Sequence, residues 1–213
     1  MSAEDFVSRV FVKGLGARYI ALGDDFRFGN SREGDYDYVR GLAAKFDYEV
    51  QPTGTLEIGD VRVSSTRIRL ALAEGNFTEV QQLLGRPFTM TGRVEHGRKL
   101  GRELGAPTAN IRINRIRSPL SGVFAVRVDG AGLESAAAVA NVGTRPTVDD
   151  GLKANLEVHL LDRKCDLYGQ RLEVRFLHKL REEIKYESLD ALKEGIAKDI
   201  DNARRWLAQP GRS

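Results

Sequence analysis

The chain has 213 residues, 41% of them apolar, and a formal net charge of +3. This length allows one large domain or two small ones, and this apolar fraction is typical of a globular protein with a sizeable core. The charge gives no electrostatic argument for nucleic acid, and no run of about 18 apolar residues predicts a membrane helix. The single cysteine, Cys165, excludes an internal disulfide framework and fits a reducing compartment. Because the first residues are acidic and lack the apolar segment of a signal peptide, we expect a cytoplasmic protein.

The first 85 residues alternate helical and strand patterns. Helices are predicted over residues 4–16 and 36–46, and strands over 19–22 and 48–52. Alternation of this kind is typical of a parallel α/β sheet. Two strands are too few for a complete doubly wound domain, so the sequence predicts a partial α/β domain over residues 1–85.

A hydroxyl-rich segment in the last part of this region allows two interpretations. Ser65 or Thr66 would cap a helix, which is the usual role of Ser and Thr at such a position. Alternatively, the two hydroxyls, the backbone N–H groups of the helix start and the two arginines Arg67 and Arg69 would form a phosphate site. The sequence alone favours capping. A second short helix would be capped by Thr78 and would end at Gly85, where we expect the domain boundary.

From Phe88 the apolar residues recur with period two, which is the pattern of β-strands. Six strands are predicted between clusters of Gly, Asn, Asp and Pro: residues 88–94, 108–113, 122–128, 135–142, 156–161 and 171–177. Six short strands with such turns are typical of a small closed antiparallel barrel. Ser188 is predicted to cap a long amphipathic helix that ends near Leu207. We expect this helix to complete the barrel core in a domain of residues 86–208, and residues 209–213 to be disordered.

Three glycines recur at every fourth position between the first two predicted strands, with basic residues among them: Gly97, Gly101 and Gly105, with Arg98, Lys99 and Arg102. Glycine lets the backbone approach a ligand closely, and successive N–H groups can hold an anion. The spacing is neither that of a Walker A loop nor that of a dinucleotide fingerprint. The stretch therefore predicts either a phosphate-binding flap or a mobile surface loop, which is an equally common role of such sequences.

Directly after this stretch, Pro107 fixes the exit of the chain, and Thr108 and Asn110 follow. Because they are two residues apart, their side chains would share one face of a strand. A hydroxyl and an amide carbonyl are hard oxygen ligands, of the kind that magnesium accepts while it keeps most of its waters. The sequence therefore predicts a metal-holding strand beside the flap.

Glu157 and His159 alternate with apolar residues on the fifth predicted strand. If Leu156 and Val158 fill the barrel, both polar side chains face outward. An outward strand carboxylate is most often a solvated surface group. The alternative is a general base that accepts the proton of a substrate hydroxyl during phosphoryl transfer. No His or Cys stands at zinc-like spacing from His159, so we expect a surface or packing role for it.

Together these motifs resemble the riboflavin kinase half of the bacterial bifunctional riboflavin kinase / FAD synthetases. The resemblance rests on the glycine stretch with its Pro-Thr-Ala-Asn motif (107–110), and on residues 141–147 (NVGTRPT), 156–162 (LEVHLLD) and 180–183 (LREE). It implies that Thr108 and Asn110 hold Mg²⁺ and the nucleotide, and that Glu157 is the catalytic base. By the same resemblance, the ATP site comprises Gly97, Lys99, Gly101, Arg102, Gly105, Pro107, Thr108 and Asn110. The flavin would be covered by Arg181, Glu183 and the C-terminal helix.

The N-terminal part is similar to the FAD synthetase half of the same family, through residues 23–29 (GDDFRFG) and 64–69 (SSTRIR). This implies remnants of a nucleotidyltransferase site at Asp25, Phe28, Ser65, Thr66 and Arg69. The family's first strand, with its His-x-Gly-His motif, has no counterpart, since the three histidines are His96, His159 and His178. We therefore expect an N-terminally truncated FAD synthetase half without FMN adenylyltransferase activity.

The resemblance as a whole implies a partial Rossmann-like nucleotidyltransferase domain followed by a six-stranded riboflavin kinase barrel. The implied reaction converts riboflavin to FMN with ATP and Mg²⁺. Two alternatives are a bifunctional enzyme that also makes FAD and a non-catalytic flavin-binding module. A third alternative is a nucleic-acid-binding barrel. It is favoured only by a cluster of basic residues: Arg98, Lys99, Arg102, Arg112, Arg115 and Arg117. The expected partners are thus small molecules, with neither nucleic acid nor a membrane, and the sequence does not indicate an oligomeric state.

Overall fold

The computed structural model describes residues 1–23, 25–96, 106–113, 118–146, 152–163, 165–209 and 211. It divides into two compact units, Met1–Val63 and Ser64–Ser213. Within the described residues, no helix is long and apolar enough to cross a membrane.

The first unit is a small α/β arrangement around a two-stranded parallel sheet. Its elements are α1 (Ala3–Phe6), a π-helix (Val7–Gly14), β1 (Tyr19–Gly23), a 3₁₀ turn (Asn30–Arg32), α2 (Tyr36–Phe46), β2 (Glu49–Thr53), β3 (Glu57–Ile58) and β4 (Val61–Arg62). Strands β1 and β2 pair in parallel, as the alternating pattern predicted. The predicted helix over residues 4–16 is α-helical only in its first turn. The rest is a π-helix, in which bonds such as Leu15 N–H to the Val10 carbonyl span five residues. The spacing of apolar residues over so few turns does not distinguish an α-helix from a π-helix.

The second unit is a closed antiparallel barrel with two helices before it and one after it. The elements are α3 (Ser65–Glu74), α4 (Phe77–Leu84), β5 (Thr89–Glu95), β6 (Ala109–Arg112), β7 (Gly122–Gly130), β8 (Leu133–Pro146), β9 (Leu152–Leu160), β10 (Arg171–Arg181) and α5 (Leu189–Leu207). The strands close in the order β10-β5-β6-β9-β8-β7. The predicted six-stranded antiparallel barrel with a C-terminal helix is therefore confirmed.

Two of the three predicted helix caps in this unit are displaced. Ser64, rather than Ser65 or Thr66, caps α3, and its hydroxyl accepts the Arg67 N–H at 3.2 Å. Asn76, rather than Thr78, caps α4 through the Glu79 N–H. Each true cap has a side-chain acceptor three residues before the N–H that it satisfies, and the predicted residues lie inside the first turn. The cap at Ser188 is confirmed, since its hydroxyl accepts the Ala191 N–H at 3.1 Å.

The barrel core extends into the two preceding helices. Phe124 and Phe176 meet edge to face inside the barrel with ring centroids 5.3 Å apart. Phe77 of α4 packs against both rings, at 5.9 and 6.1 Å, and Ala71 and Leu72 of α3 belong to the same buried cluster. For this reason the compact unit begins at Ser64, about a helix pair before the boundary expected near residue 85.

The last helix, α5, covers part of the outside of the barrel. Ala203 and Leu207 pack against the outward side chains of Val123 and Val139 in a cluster that is separate from the barrel core. The expectation that this helix completes the barrel core is therefore wrong. The apolar stripe of α5 is also shorter than its sequence pattern, because Leu189 in its first turn is 65% exposed.

Candidate active site

Three polar side chains form a row across the outer face of the barrel. The register pairs Glu157 of β9 with Asn110 of β6 on one side and with Asn141 of β8 on the other. Directly opposed residues of antiparallel strands share a face, with Cβ atoms about 4.5–5.5 Å apart. Since Leu156 and Val158 are buried inside the barrel, the row points outward, as the alternation on this strand predicted.

The Glu157 carboxylate is held from its own strand. The amide Nδ2 of Asn155 donates to Glu157 Oε1 at 2.9 Å, because residues two apart on a strand share a face. Both side chains are half-buried. This donor fixes the direction of the carboxylate, as a general base in a defined position requires.

Asn110 carries a buried acceptor that none of the described residues satisfies. Its Oδ1 is buried and has no hydrogen-bond partner among the described residues. A buried carbonyl oxygen without a partner is costly and indicates a missing ligand or water. Asn110 pairs in register with Glu157, so an amide oxygen and a carboxylate lie on neighbouring strands of the outer face, and oxygen donors of this kind fit magnesium.

Thr108 lies just before β6, whose pairing with β9 begins at Ala109 and Val158. Its side chain is half-buried and lines a cavity of 690 Å³. No group of three or more His, Cys, Asp or Glu that could hold a metal occurs among the described residues. A magnesium ion held by one or two protein oxygens and by substrate phosphates does not require such a group.

The cavity is walled by strand residues from β5, β6 and β9, by the two residues before β6 and by the segment after β9. These residues are Val94, Pro107, Thr108, Ala109, Val158, Leu160, Arg163, Cys165, Asp166, Leu167 and Tyr168. Its volume is of the size that small-molecule sites have. The glycines and basic residues predicted as the flap (Gly97, Lys99, Gly101, Arg102 and Gly105) fall outside the described residues.

Arg181, predicted to contact flavin, is engaged within the protein. Its Nε and one terminal nitrogen bond the two carboxylate oxygens of Asp199 at 2.8 and 2.6 Å, and the same terminal nitrogen donates to the Tyr186 hydroxyl at 3.0 Å. The hydrogen bonds to Asp199 raise the pKa of the guanidinium. Asp199 is the one buried charged residue in the described part of the chain. Arg181 thus ties α5 to the end of β10.

Glu183, the other predicted flavin residue, is exposed. It lies against Gly143, where an added Cβ would collide with its carboxylate. Gly143 pairs with Asn155 across β8 and β9. The segment after β10 therefore passes close to the polar row.

The five residues predicted as a remnant nucleotidyltransferase site do not belong to one compact unit. Asp25 and Phe28 lie in the first unit, and Ser65, Thr66 and Arg69 lie in the second. Phe28 is a core residue, 8% exposed and stacked on Phe26 at 5.3 Å. Asp25 accepts from Arg62 at 3.0 Å, and Arg69 donates to the Ser65 hydroxyl at 3.2 Å.

Sequence reasoning missed three residues of the site. Asn155 could have been found from its spacing of two from Glu157, and Asn141 from the strand order. Asp199 interrupts the apolar stripe of α5 four residues before Ala203, and a charged residue in such a stripe indicates a buried partner.

Family models match both parts of the chain. A model described as riboflavin kinase matches residues 84–207, and one described as FAD synthetase matches residues 1–67. The chain belongs to the riboflavin kinase family. The two family matches leave the helix pair α3 and α4 largely between them, while the compact unit begins at Ser64, so the expected domain boundary stays a prediction.

Curated relatives of this family match nearly the whole chain. A bifunctional riboflavin kinase/FMN adenylyltransferase of Pseudomonas fluorescens is 50% identical over 208 residues, covering 98% of this chain and 67% of the relative. The enzyme of the same name from Escherichia coli K12 is 46% identical, covering 97% and 66%. The chain thus spans about two thirds of the length of these relatives.

A solved structure has the same fold over 97% of this chain and 66% of its own. It is described as a macrolide-efflux protein from Streptococcus pneumoniae, and it is 33% identical with a TM-score of 0.68. The similarity supports the architecture described above.

Proposed function

We propose that this chain is a riboflavin kinase, which transfers the γ-phosphoryl group of ATP to the 5′-hydroxyl of riboflavin and yields FMN and ADP. The observation that carries the proposal is the pair formed by Glu157 and Asn110. A positioned carboxylate pairs in register with an amide whose buried carbonyl oxygen has no partner among the described residues, on the strands of a barrel that matches the riboflavin kinase family.

Glu157 is proposed as the general base. The ribityl 5′-oxygen attacks the γ-phosphorus while the bond to the bridging β,γ-oxygen breaks, ADP leaves, and the hydroxyl proton passes to the carboxylate. Phosphoryl transfer asks for little covalent chemistry from the protein, so holding the hydroxyl in line contributes a large part of the rate. The Asn155 donor supports this role because it holds one carboxylate oxygen in place.

The nucleotide is proposed to lie in the 690 Å³ cavity, with its phosphates toward Thr108 and Asn110. Asn110 Oδ1 and the Thr108 hydroxyl would hold Mg²⁺ there, and the ion would neutralise phosphate charge. The predicted flap from Gly97 to Gly105 would supply backbone N–H groups and the cations Lys99 and Arg102.

The flavin is proposed to lie along the outer polar row, under the segment that carries Glu183. In this proposal Arg181 shapes the site through Asp199 and Tyr186 rather than by donating to the flavin, since its guanidinium already makes those bonds.

The direct test is product analysis. The protein, incubated with riboflavin, ATP and Mg²⁺, should form FMN and ADP in equal amounts, and EDTA should stop the reaction. Chromatography separates riboflavin, FMN and FAD. Riboflavin binding without FMN formation would instead support a non-catalytic flavin-binding module. Affinity for nucleic acid that falls steeply with salt would favour a nucleic-acid-binding barrel.

FMN adenylyltransferase activity is the second candidate, because the FAD synthetase model matches residues 1–67. Adenylyl transfer needs donors that stabilise charge on the α-phosphate and the leaving pyrophosphate. The 213 residues contain no His-x-Gly-His motif, so we expect these residues alone to form no FAD from FMN, ATP and Mg²⁺. FAD above a control without protein would establish the bifunctional alternative.

A further inference from the structure

A side-chain hydrogen bond joins β9 to the turn that precedes β6. His159 Nδ1 lies 2.9 Å from the carbonyl oxygen of Pro107. His159 is two residues after Glu157 on the same outward face, and Pro107 immediately precedes Thr108. The bond therefore links the strand of the proposed base to the turn that carries the proposed metal-holding hydroxyl.

The chemistry of the two partners fixes the direction of this bond. A carbonyl oxygen only accepts, so His159 Nδ1 carries the proton and donates it. In the neutral imidazole, Nε2 is then an acceptor and takes no part in this contact. The contact thus needs a donor at the Nδ1 position and not a histidine as such.

Within the described residues, the backbone pairing between β6 and β9 does not reach this turn. Proline has no N–H to donate, and the β6–β9 ladder begins only at Ala109 and Val158. Thr108 therefore lies just outside the ladder. The hydrogen bond from His159 to the Pro107 carbonyl connects β9 to the peptide group that directly precedes Thr108. Ala106, on the other side of Pro107, is buried, 3% exposed.

We propose that His159 is a positioning residue for the metal-nucleotide site, acting through the Pro107 carbonyl on the placement of Thr108. This inference rests on one part of the proposed function, the binding of the magnesium nucleotide at Thr108, and not on the transfer of phosphate to riboflavin. The sequence did not indicate this role. Because no His or Cys stands at zinc-like spacing from His159, the sequence predicted only a surface or packing role for it.

The test compares three substitutions that differ in where they place a donor. In His159→Ala the donor is removed. In His159→Asn the amide Nδ2 occupies a position close to that of Nδ1, and in His159→Gln the amide is one carbon further out, nearer to Nε2. Equilibrium binding of Mg·ADP, followed with a fluorescent ADP analogue and by calorimetry, reports on the site without turnover. The Michaelis constants for ATP and riboflavin are measured beside it.

The expected result is a three- to tenfold weaker binding of Mg·ADP in His159→Ala, as for the loss of about one hydrogen bond. The Michaelis constant for ATP should rise by a similar factor, with that for riboflavin unchanged. His159→Asn should restore most of the affinity, and His159→Gln should restore little. His178→Ala serves as the control, since that ring stacks on Trp206 at 4.9 Å on another part of the barrel.

Two outcomes would overturn the inference. The first is an unchanged Mg·ADP affinity in His159→Ala. The second is that His159→Asn and His159→Gln restore the affinity equally, or that neither restores it. If the unsubstituted chain forms no FMN but binds Mg·ADP with this pattern, the proposed function fails and the inference stands. If the chain forms FMN without the pattern, only the inference fails.

Discussion

At the scale of single residues, the site depends on strand alternation and on donors two positions away. Alternation alone placed Glu157 on the outer face, because Leu156 and Val158 are apolar and need the interior. The lack of a described partner for Asn110 Oδ1 was not predictable, since it depends on what surrounds the side chain after folding. The order of strands, which brings Asn141 next to Glu157, is likewise absent from any local pattern.

The Asn155 contact leads to a prediction about the rate. Replacing Asn155 with Ala removes the donor to Glu157 Oε1, and we expect kcat to fall about three- to tenfold while the Michaelis constant for ATP stays constant. Steady-state kinetics with both substrates varied measures the two effects. Asn202→Ala is the matched control, because that amide lies on α5 and accepts from Arg205.

A double variant separates this role from a general structural effect. If Asn155 acts only through Glu157, adding Asn155→Ala to Glu157→Gln should lower kcat no further. Additive losses would show that Asn155 contributes by another route.

At the scale of elements, α5 is fastened near its middle by an ion pair with a buried carboxylate. Asp199 is buried, and its bidentate bond to Arg181 joins the helix to the end of β10. The amphipathic pattern predicted the extent of α5 and its cap at Ser188, both of which are confirmed. It did not predict the helix's place outside the barrel, because an apolar stripe indicates that a face is buried and not what buries it.

We expect Asp199→Ala to destabilise the second unit by about 1.5–3 kcal/mol, because the substitution removes a buried carboxylate that accepts two hydrogen bonds from the half-buried Arg181 guanidinium. Urea unfolding followed by Trp206 fluorescence measures the loss. Asp201→Ala, on the same helix but exposed, should cost less than about 1 kcal/mol. Equal effects of the two substitutions would rule out the fastening role of the Asp199 pair.

At the scale of the whole molecule, the barrel and the helix pair before it share one core. Period-two patterning predicted all six strands, since each buries alternate residues in a common interior. It could not predict that Phe77 contacts Phe124 and Phe176, because that contact joins a helix to strands far along the chain. The boundary was expected near residue 85 because the apolar residues begin to recur with period two just after it. The packing of α3 and α4 against the barrel core is not visible in that pattern.

Two fragments test where the folding unit begins. A fragment of residues 64–213 keeps Ala71, Leu72 and Phe77 in the core, and we expect it to unfold cooperatively and to make FMN. A fragment of residues 86–213 exposes Phe124 and Phe176, and losing Phe77 alone should cost about 3–5 kcal/mol. We expect it to bind a hydrophobic dye and to lack a cooperative thermal transition. Equal stability of the two fragments would support the predicted boundary near residue 85.

The central claim is that Glu157 is the base of a riboflavin kinase, and one measurement tests it most directly. FMN formation is followed in a single turnover, with protein in excess over riboflavin and with saturating ATP and Mg²⁺, for the Glu157→Gln variant. We predict a rate lower by about two to four orders of magnitude, with riboflavin still bound and the unfolding transition unchanged. Glu173→Gln, an exposed carboxylate on β10, should react at the normal rate. A Glu157→Gln rate within about threefold of the unsubstituted protein would contradict the account.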